Sequence, residues 1–158
     1  MKNLSIIHSS NFVVEWCELH PKAIATLGKD ENCQRSMMGK EIEDIVTPQS
    51  SWLRATHMYK GMRPDFILLD PTEGNSRCCH LMMLKENKNN DHAREIVMLA
   101  TLLLLSQGII PYTTVSIKPE YEYMNMFLLS CGMYMVPEHH LPEVNMFTPP
   151  YPYNPDVS

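Results

Sequence analysis

Glycine is scarce in this chain, with six in 158 residues, and none of them builds a phosphate-binding loop, a dinucleotide fingerprint or a Gly-x-Ser-x-Gly elbow. Nucleotide-phosphate chemistry of the usual kind and serine-nucleophile chemistry therefore have no footing. Basic charge is short as well: 13 Lys and Arg face 18 Asp and Glu, a formal net charge of −5. A nucleic acid or an acidic membrane needs a basic footprint, so neither is expected as a partner. No apolar run reaches the roughly 20 residues of a membrane span. Five cysteines are present, an odd number without paired spacing and with no signal peptide before them. They read as reduced thiols, which places the chain in the cytoplasm or nucleus. Phenylalanine is rare and methionine abundant, four against 13, so soft methionine packing is expected in the core.

What is present is organised around residues 91–108. Asn89, Asn90 and Asp91 offer capping oxygens, Glu95 adds negative charge near the positive end of a helix, and Gly108 can take the left-handed conformation that closes it. From Ile96 to Leu105 only Thr101 is polar, which predicts a helix covered on most sides. Upstream, residues 65–70 and 78–84 are short apolar runs joined by Pro71-Thr-Glu-Gly-Asn-Ser76, the pattern of a β-hairpin. Downstream, residues 111–117 read as a strand that Lys118-Pro119 ends, and Tyr121, Met124, Leu128 and Cys131 mark an amphipathic helix closed by Gly132. Tyr134-Met-Val136 is a further short strand. Hairpin, helix, strand, helix, strand implies an α/β domain with a mixed sheet flanked by helices.

The remainder is less patterned. Residues 1–47 read as a variable N-terminal segment, with residues 28–36 a polar loop and 40–44 a solvated turn. Trp52, Leu53, Ala55 and Met58 are spaced as one face of a short helix. The α/β domain is expected over 48–147, followed by a proline-rich tail, 148–158, extended or disordered.

Candidate chemistry is thin. Cys78-Cys79-His80 cannot converge on a metal, because strand alternation sends neighbours to opposite faces. His139-His140 lies in a loop between prolines without further announced ligands, and Asp70 and Glu73 sit on a turn with no visible partner. No metal, cofactor or catalytic residue is assigned. Lys118, Glu120 and Glu122 lie at a strand-to-helix junction, where loops commonly bind. The turn before the central helix, residues 85–91, contains no glycine to cradle a pyrophosphate.

The order of elements, with the closing Ser130-Cys-Gly-Met133, resembles the C-terminal half of the acetyltransferase-like (GNAT-like) fold. Phe127-Leu-Leu-Ser-Cys-Gly-Met-Tyr-Met-Val-Pro-Glu-His-His-Leu-Pro142 is similar to the ending of ornithine decarboxylase antizymes. That resemblance implies a cytoplasmic or nuclear binding protein, not an enzyme. It would capture the ornithine decarboxylase monomer through Asp91, Glu95, Lys118, Glu120 and Glu122, and deliver it to the proteasome, lowering polyamine synthesis. The family's Asn-Arg-x-Asp-Arg between second strand and second helix is replaced here by Ile117-Lys-Pro-Glu-Tyr121. Ser106-Gln-Gly-Ile-Ile-Pro-Tyr112 and Cys131-Gly-Met133 resemble pieces of the glycine N-acyltransferase-like proteins, which implies the alternative of an acyl-CoA-dependent N-acyltransferase.

Overall fold

The structure, a computed structural model, describes residues 4–59, 61–137 and 139–150. Among these, eight strands form one sheet: β1 (Ile6–His8), β2 (Phe12–Cys17), β3 (Ser51–His57), β4 (Asp65–Leu69), β5 (Ser76–Met82), β6 (Ile110–Ser116), β7 (Tyr134–Met135) and β8 (Val144–Thr148). Their order is β1-β2-β3-β4-β5-β6-β8-β7. All neighbours are antiparallel except β5 and β6. That exception follows from the helix between them: a parallel pair needs a crossover, and α4 (Asn90–Ser106) supplies it.

α4 forms where the caps predict. The Asn89 side chain accepts a hydrogen bond from the His92 N–H at the start, and Gly108, at φ +75°, follows its end. Ile96, Leu99, Ala100 and Leu103 pack on Phe12, Val14, Leu53, Ala55, Ile67 and Leu69. The helix is nevertheless not covered on most sides: Met98 and Leu102 are about half exposed, because α4 lies on a single face of the sheet. The opposite face carries α1 (Pro21–Lys29), α2 (Glu31–Ser36) and α3 (Ile42–Ile45), whose Leu27, Cys33 and Ile42 meet Trp52, Leu68 and Met82. Beyond β6, a 3-10 turn (Pro119–Tyr121) leads into α5 (Glu122–Ser130), and Leu128 packs with Val115, Met133 and Phe147.

Four expectations are corrected. Residues 1–47 are no separate lead-in: β1 and β2 extend the sheet, and Phe12 and Val14 are fully buried in its main core. The segment spacing Trp52, Leu53, Ala55 and Met58 is strand β3, not a helix. Both faces of β3 are covered, so Trp52 and Leu53 are buried side by side and the period of two disappears from the sequence. The polar stretch 28–36 is the end of α1 and all of α2, joined at Asp30, whose carboxylate accepts from the Asn32 and Cys33 N–H groups. The charged segment 40–44 includes the start of α3, held by buried Ile42. Of the tail, Thr148 ends β8, while residues 151–158 lie outside the described residues, as does Glu138 in the loop with His139 and His140.

Candidate functional site

The parallel pair β5 and β6 holds together over only three residues, Ser76↔Ile110, Arg77↔Pro111 and Cys78↔Tyr112. Past that point the strands part. β5 continues to Met82 paired with β4 alone, and β6 continues to Ser116 paired with β8 alone. The facing edges of residues 79–82 and 113–116 therefore have backbone N–H and C=O groups without a strand partner. Thr113 Oγ1 donates to the Cys79 carbonyl at 3.2 Å and stitches the apex of the wedge.

The wedge is a cleft of about 300 Å³. One wall is α4, through Ala93, Val97 and Leu104; the other is α5, through Tyr123, Met124 and Phe127. Lys88, Asn89 and Asn90 line it where α4 begins. That end of a long helix presents unsatisfied N–H groups and partial positive charge, to which Lys88 adds a full one. The turn into it is a single 3-10 turn, Lys85–Asn87, and residues 85–91 contain no left-handed residue, so the absence of glycine costs this backbone nothing. On the α2 side, Asn32, Ser36 and His80 reach the cleft. Tyr123 carries the Arg35 guanidinium over its ring, 4.8 Å from the centroid.

His80 is the titratable group at the parting of the strands. Its Nε2 lies 3.3 Å from the Asp70 carboxylate. Burial opposes charge on the ring, but hydrogen bonds and charge from Asp70 and the Cys78 thiol outweigh it and hold the imidazole at about 9. Asp70, Cys78 and His80 share one face of the sheet, their donor atoms all within 4.8 Å of one another. Strand alternation does separate Cys79 from this group, but it aligns positions 78 and 80, and the hairpin places Asp70 opposite Cys78, its N–H bonded to the Cys78 carbonyl at 2.9 Å. The spacing of two and the hairpin register were both present in the sequence; the expectation that Asp70 has no partner missed them.

None of Asp91, Glu95, Lys118, Glu120 and Glu122 lines the cleft. Asp91 is paired with Arg94, and Glu95 accepts from Ser9 Oγ at 2.6 Å and from Asn11 Nδ2, tying α4 to the loop between β1 and β2. Lys118, Glu120 and Glu122 are exposed, and Glu122 accepts from Asn125 Nδ2 at 2.9 Å. The residues that do form the cleft, Thr113, Tyr123, Met124 and Phe127 among them, looked in the sequence like ordinary strand and helix positions.

Solved structures that share this mixed sheet flanked by helices are GNAT acetyltransferase domains. The GNAT domain of PAT from S. lividans superposes with a TM-score of 0.62 at 10% identity, over 92% of this chain and 94% of that one. A spermidine N-acetyltransferase SpeG chimera from Vibrio cholerae and hSSAT gives 0.60 at 11%, over 86% and 94%. A GNAT-family acetyltransferase from Bacillus anthracis gives 0.61 at 8%, over 90% and 95%. No family model and no curated protein matches the sequence.

These likenesses bear out the acetyltransferase-like fold and overturn the antizyme resemblance. The expectation of an ornithine decarboxylase inhibitor that is not an enzyme falls with it, since the neighbours are acetyltransferases. The closing segment 127–142 that carried the resemblance records α5, the Gly132 cap at φ +83° and the edge strand β7, elements that belong to the fold. Among the described residues no helix is long and apolar enough to cross a membrane.

Proposed function

We propose that the chain is an acyl-CoA-dependent N-acyltransferase. The observation that carries this reading is the parting of β5 and β6 after three paired residues, which leaves two strand edges facing each other across an apolar slot. An extended chain bearing amides, such as the pantetheine arm of coenzyme A, can satisfy those edges as an added strand would. The slot volume of about 300 Å³ suits such an arm and not a whole nucleotide. The pyrophosphate would then rest outside, on the first N–H groups of α4 and on Lys88. In the transfer, the acceptor nitrogen forms a bond to the thioester carbon while the carbon–sulfur bond breaks; one proton leaves nitrogen and one reaches the departing sulfur. Tyr123 is the phenol lining the cleft and is assigned as the proton donor to that sulfur. The net charge of −5 favours a basic amine as acceptor, in keeping with the spermidine N-acetyltransferases among the neighbours.

The test is thermal unfolding with and without acetyl-CoA. A ligand at a hundred times its Kd stabilises the native state by about 2.7 kcal/mol. For a domain of this size that is a rise of roughly 5–10 °C. Val97→Trp, which fills the slot from α4, should abolish the rise. Release of free coenzyme A thiol on addition of polyamines or other primary amines then reports turnover, and Tyr123→Phe should slow it. No shift with acetyl-CoA or longer acyl-CoA thioesters sinks the proposal.

A further inference from the structure

We infer that Asp70, Cys78 and His80 form a binding site for one zinc ion, at the end of β4 and on β5. The site stands on side-chain geometry and goes beyond the acyl-transfer reading. A thiolate, an imidazole and a carboxylate are the three donor types that tetrahedral zinc takes, and three protein ligands with one open position is the composition of a reactive zinc centre.

Distances decide whether the donors fit. Around a tetrahedral ion with nitrogen and oxygen bonds of about 2.05 Å, two such ligand atoms stand about 3.3 Å apart. His80 Nε2 lies 3.3 Å from Asp70 Oδ2 and 3.3 Å from Oδ1. A sulfur ligand belongs about 3.6 Å from the other two atoms. The Cys78 Sγ is within 4.8 Å of both, a gap that about an ångström of side-chain adjustment closes.

Two further observations point to a missing ligand. Asp70 Oδ1 is buried and makes no hydrogen bond, its one polar neighbour being His80 Nε2 at 3.3 Å, so it has acceptor capacity that a metal would satisfy. The adjacent cation, Arg77, is committed elsewhere: its guanidinium donates to the Asp70 and Leu69 carbonyls and to Ser51 Oγ, not to the Asp70 carboxylate. His80 also lines the cleft, so the three donors adjoin it.

The experiment uses the full chain, stripped with a chelator and titrated with Zn²⁺ and separately with Co²⁺, without any coenzyme. One metal per chain is expected, and the Co²⁺ form should show a thiolate-to-metal charge-transfer band with tetrahedral ligand-field bands. Cys78→Ser should remove the charge-transfer band, and Asp70→Asn and His80→Gln should each weaken Zn²⁺ binding at least tenfold. Cys79→Ser, on the opposite face, should change neither. Circular dichroism of each variant confirms that it is folded. Absence of stoichiometric binding overturns the site. So does a charge-transfer band that survives Cys78→Ser, or binding that is lost instead on replacing His139 and His140. Because no acyl-CoA is used, a failure here leaves the acyl-transfer proposal standing, and the reverse also holds.

Discussion

Asp65 and His57 are both fully buried at the side chain, with Oδ2 of one 2.7 Å from Nε2 of the other. The carboxylate also accepts from the Leu84 N–H at 2.8 Å and from Asn87 Nδ2 at 3.1 Å, so one side chain anchors β3, β4 and the turn before α4. Removing it leaves His57 Nε2 and the Leu84 N–H without that partner in the buried interior, while Asn87 Nδ2 keeps the Arg63 carbonyl at 2.8 Å. Asp65→Ala should therefore cost about 3–5 kcal/mol in urea unfolding, whereas Asp65→Asn, which keeps an acceptor for Leu84, should cost less than half of that. Burial pushes the Asp65 carboxyl up from 3.8, against the hydrogen bonds from Leu84, His57 and Asn87. A raised folded value means that the native state holds the proton more tightly than the unfolded chain. The resulting stability is fully present below 3.8 and is lost as pH rises through the folded value. Wild type should thus gain on Asp65→Asn as pH is lowered from neutrality toward 3.8; an unchanged or opposite difference would refute this direction of the shift.

At the level of elements, α1 and α3 meet at one glycine. A Cβ on Gly28 would stand 2.5 Å from Ile42 Cγ2 and 3.2 Å from Ile42 Cβ, and neither is the free end of a flexible chain. Glycine in a helix ordinarily costs about 1 kcal/mol relative to alanine. Here the contact reverses the sign: Gly28→Ala should destabilise by about 1–3 kcal/mol through overpacking, read as a lower urea midpoint with an unchanged slope. Truncating the neighbour as well, Gly28→Ala with Ile42→Val, should not restore stability, because valine loses only the Cδ1 at 3.8 Å and keeps the Cγ2 and Cβ contacts at 2.5 and 3.2 Å. These helices were invisible in the sequence for a related reason. α2 has six residues and α3 four, too short for a 3.6-residue period to repeat, and each contributes one buried residue, Cys33 and Ile42. α4, with seventeen residues and a cap at each end, was legible.

For the whole molecule, the sheet is continuous from β1 to β7, and the N-terminal strands are inside it. Six residues of β2 pair with β3, and Phe12 and Val14 complete the core under α4. Deleting residues 1–47 should leave a chain without a cooperative unfolding transition, since β3 would become an edge and both faces would lose cover. A deletion variant that melts cooperatively would show instead that 48–147 is a domain by itself.

The sequence by itself determined the elements that carry their own punctuation: the 65–84 hairpin with its turn, the capped helix α4, and the glycine that ends α5. Their order was enough for an α/β mixed sheet, and with the closing Ser130-Cys-Gly-Met133 it carried the resemblance to the acetyltransferase-like fold. It also contained the i, i+2 spacing of Cys78 and His80, which alternation alone places on one face. Only the tertiary structure decided the rest. That β5 and β6 part after Cys78 is set by packing, because β5 stays with β4 and β6 with β8. No local propensity records a separation between strands 34 positions apart. The cleft that results gathers residues from six elements, α2, β4, β5, α4, β6 and α5, and the junction charges Lys118, Glu120 and Glu122 lie outside its lining. Local chemistry fixes where a helix begins; the competition among long-range pairings fixes where a site opens.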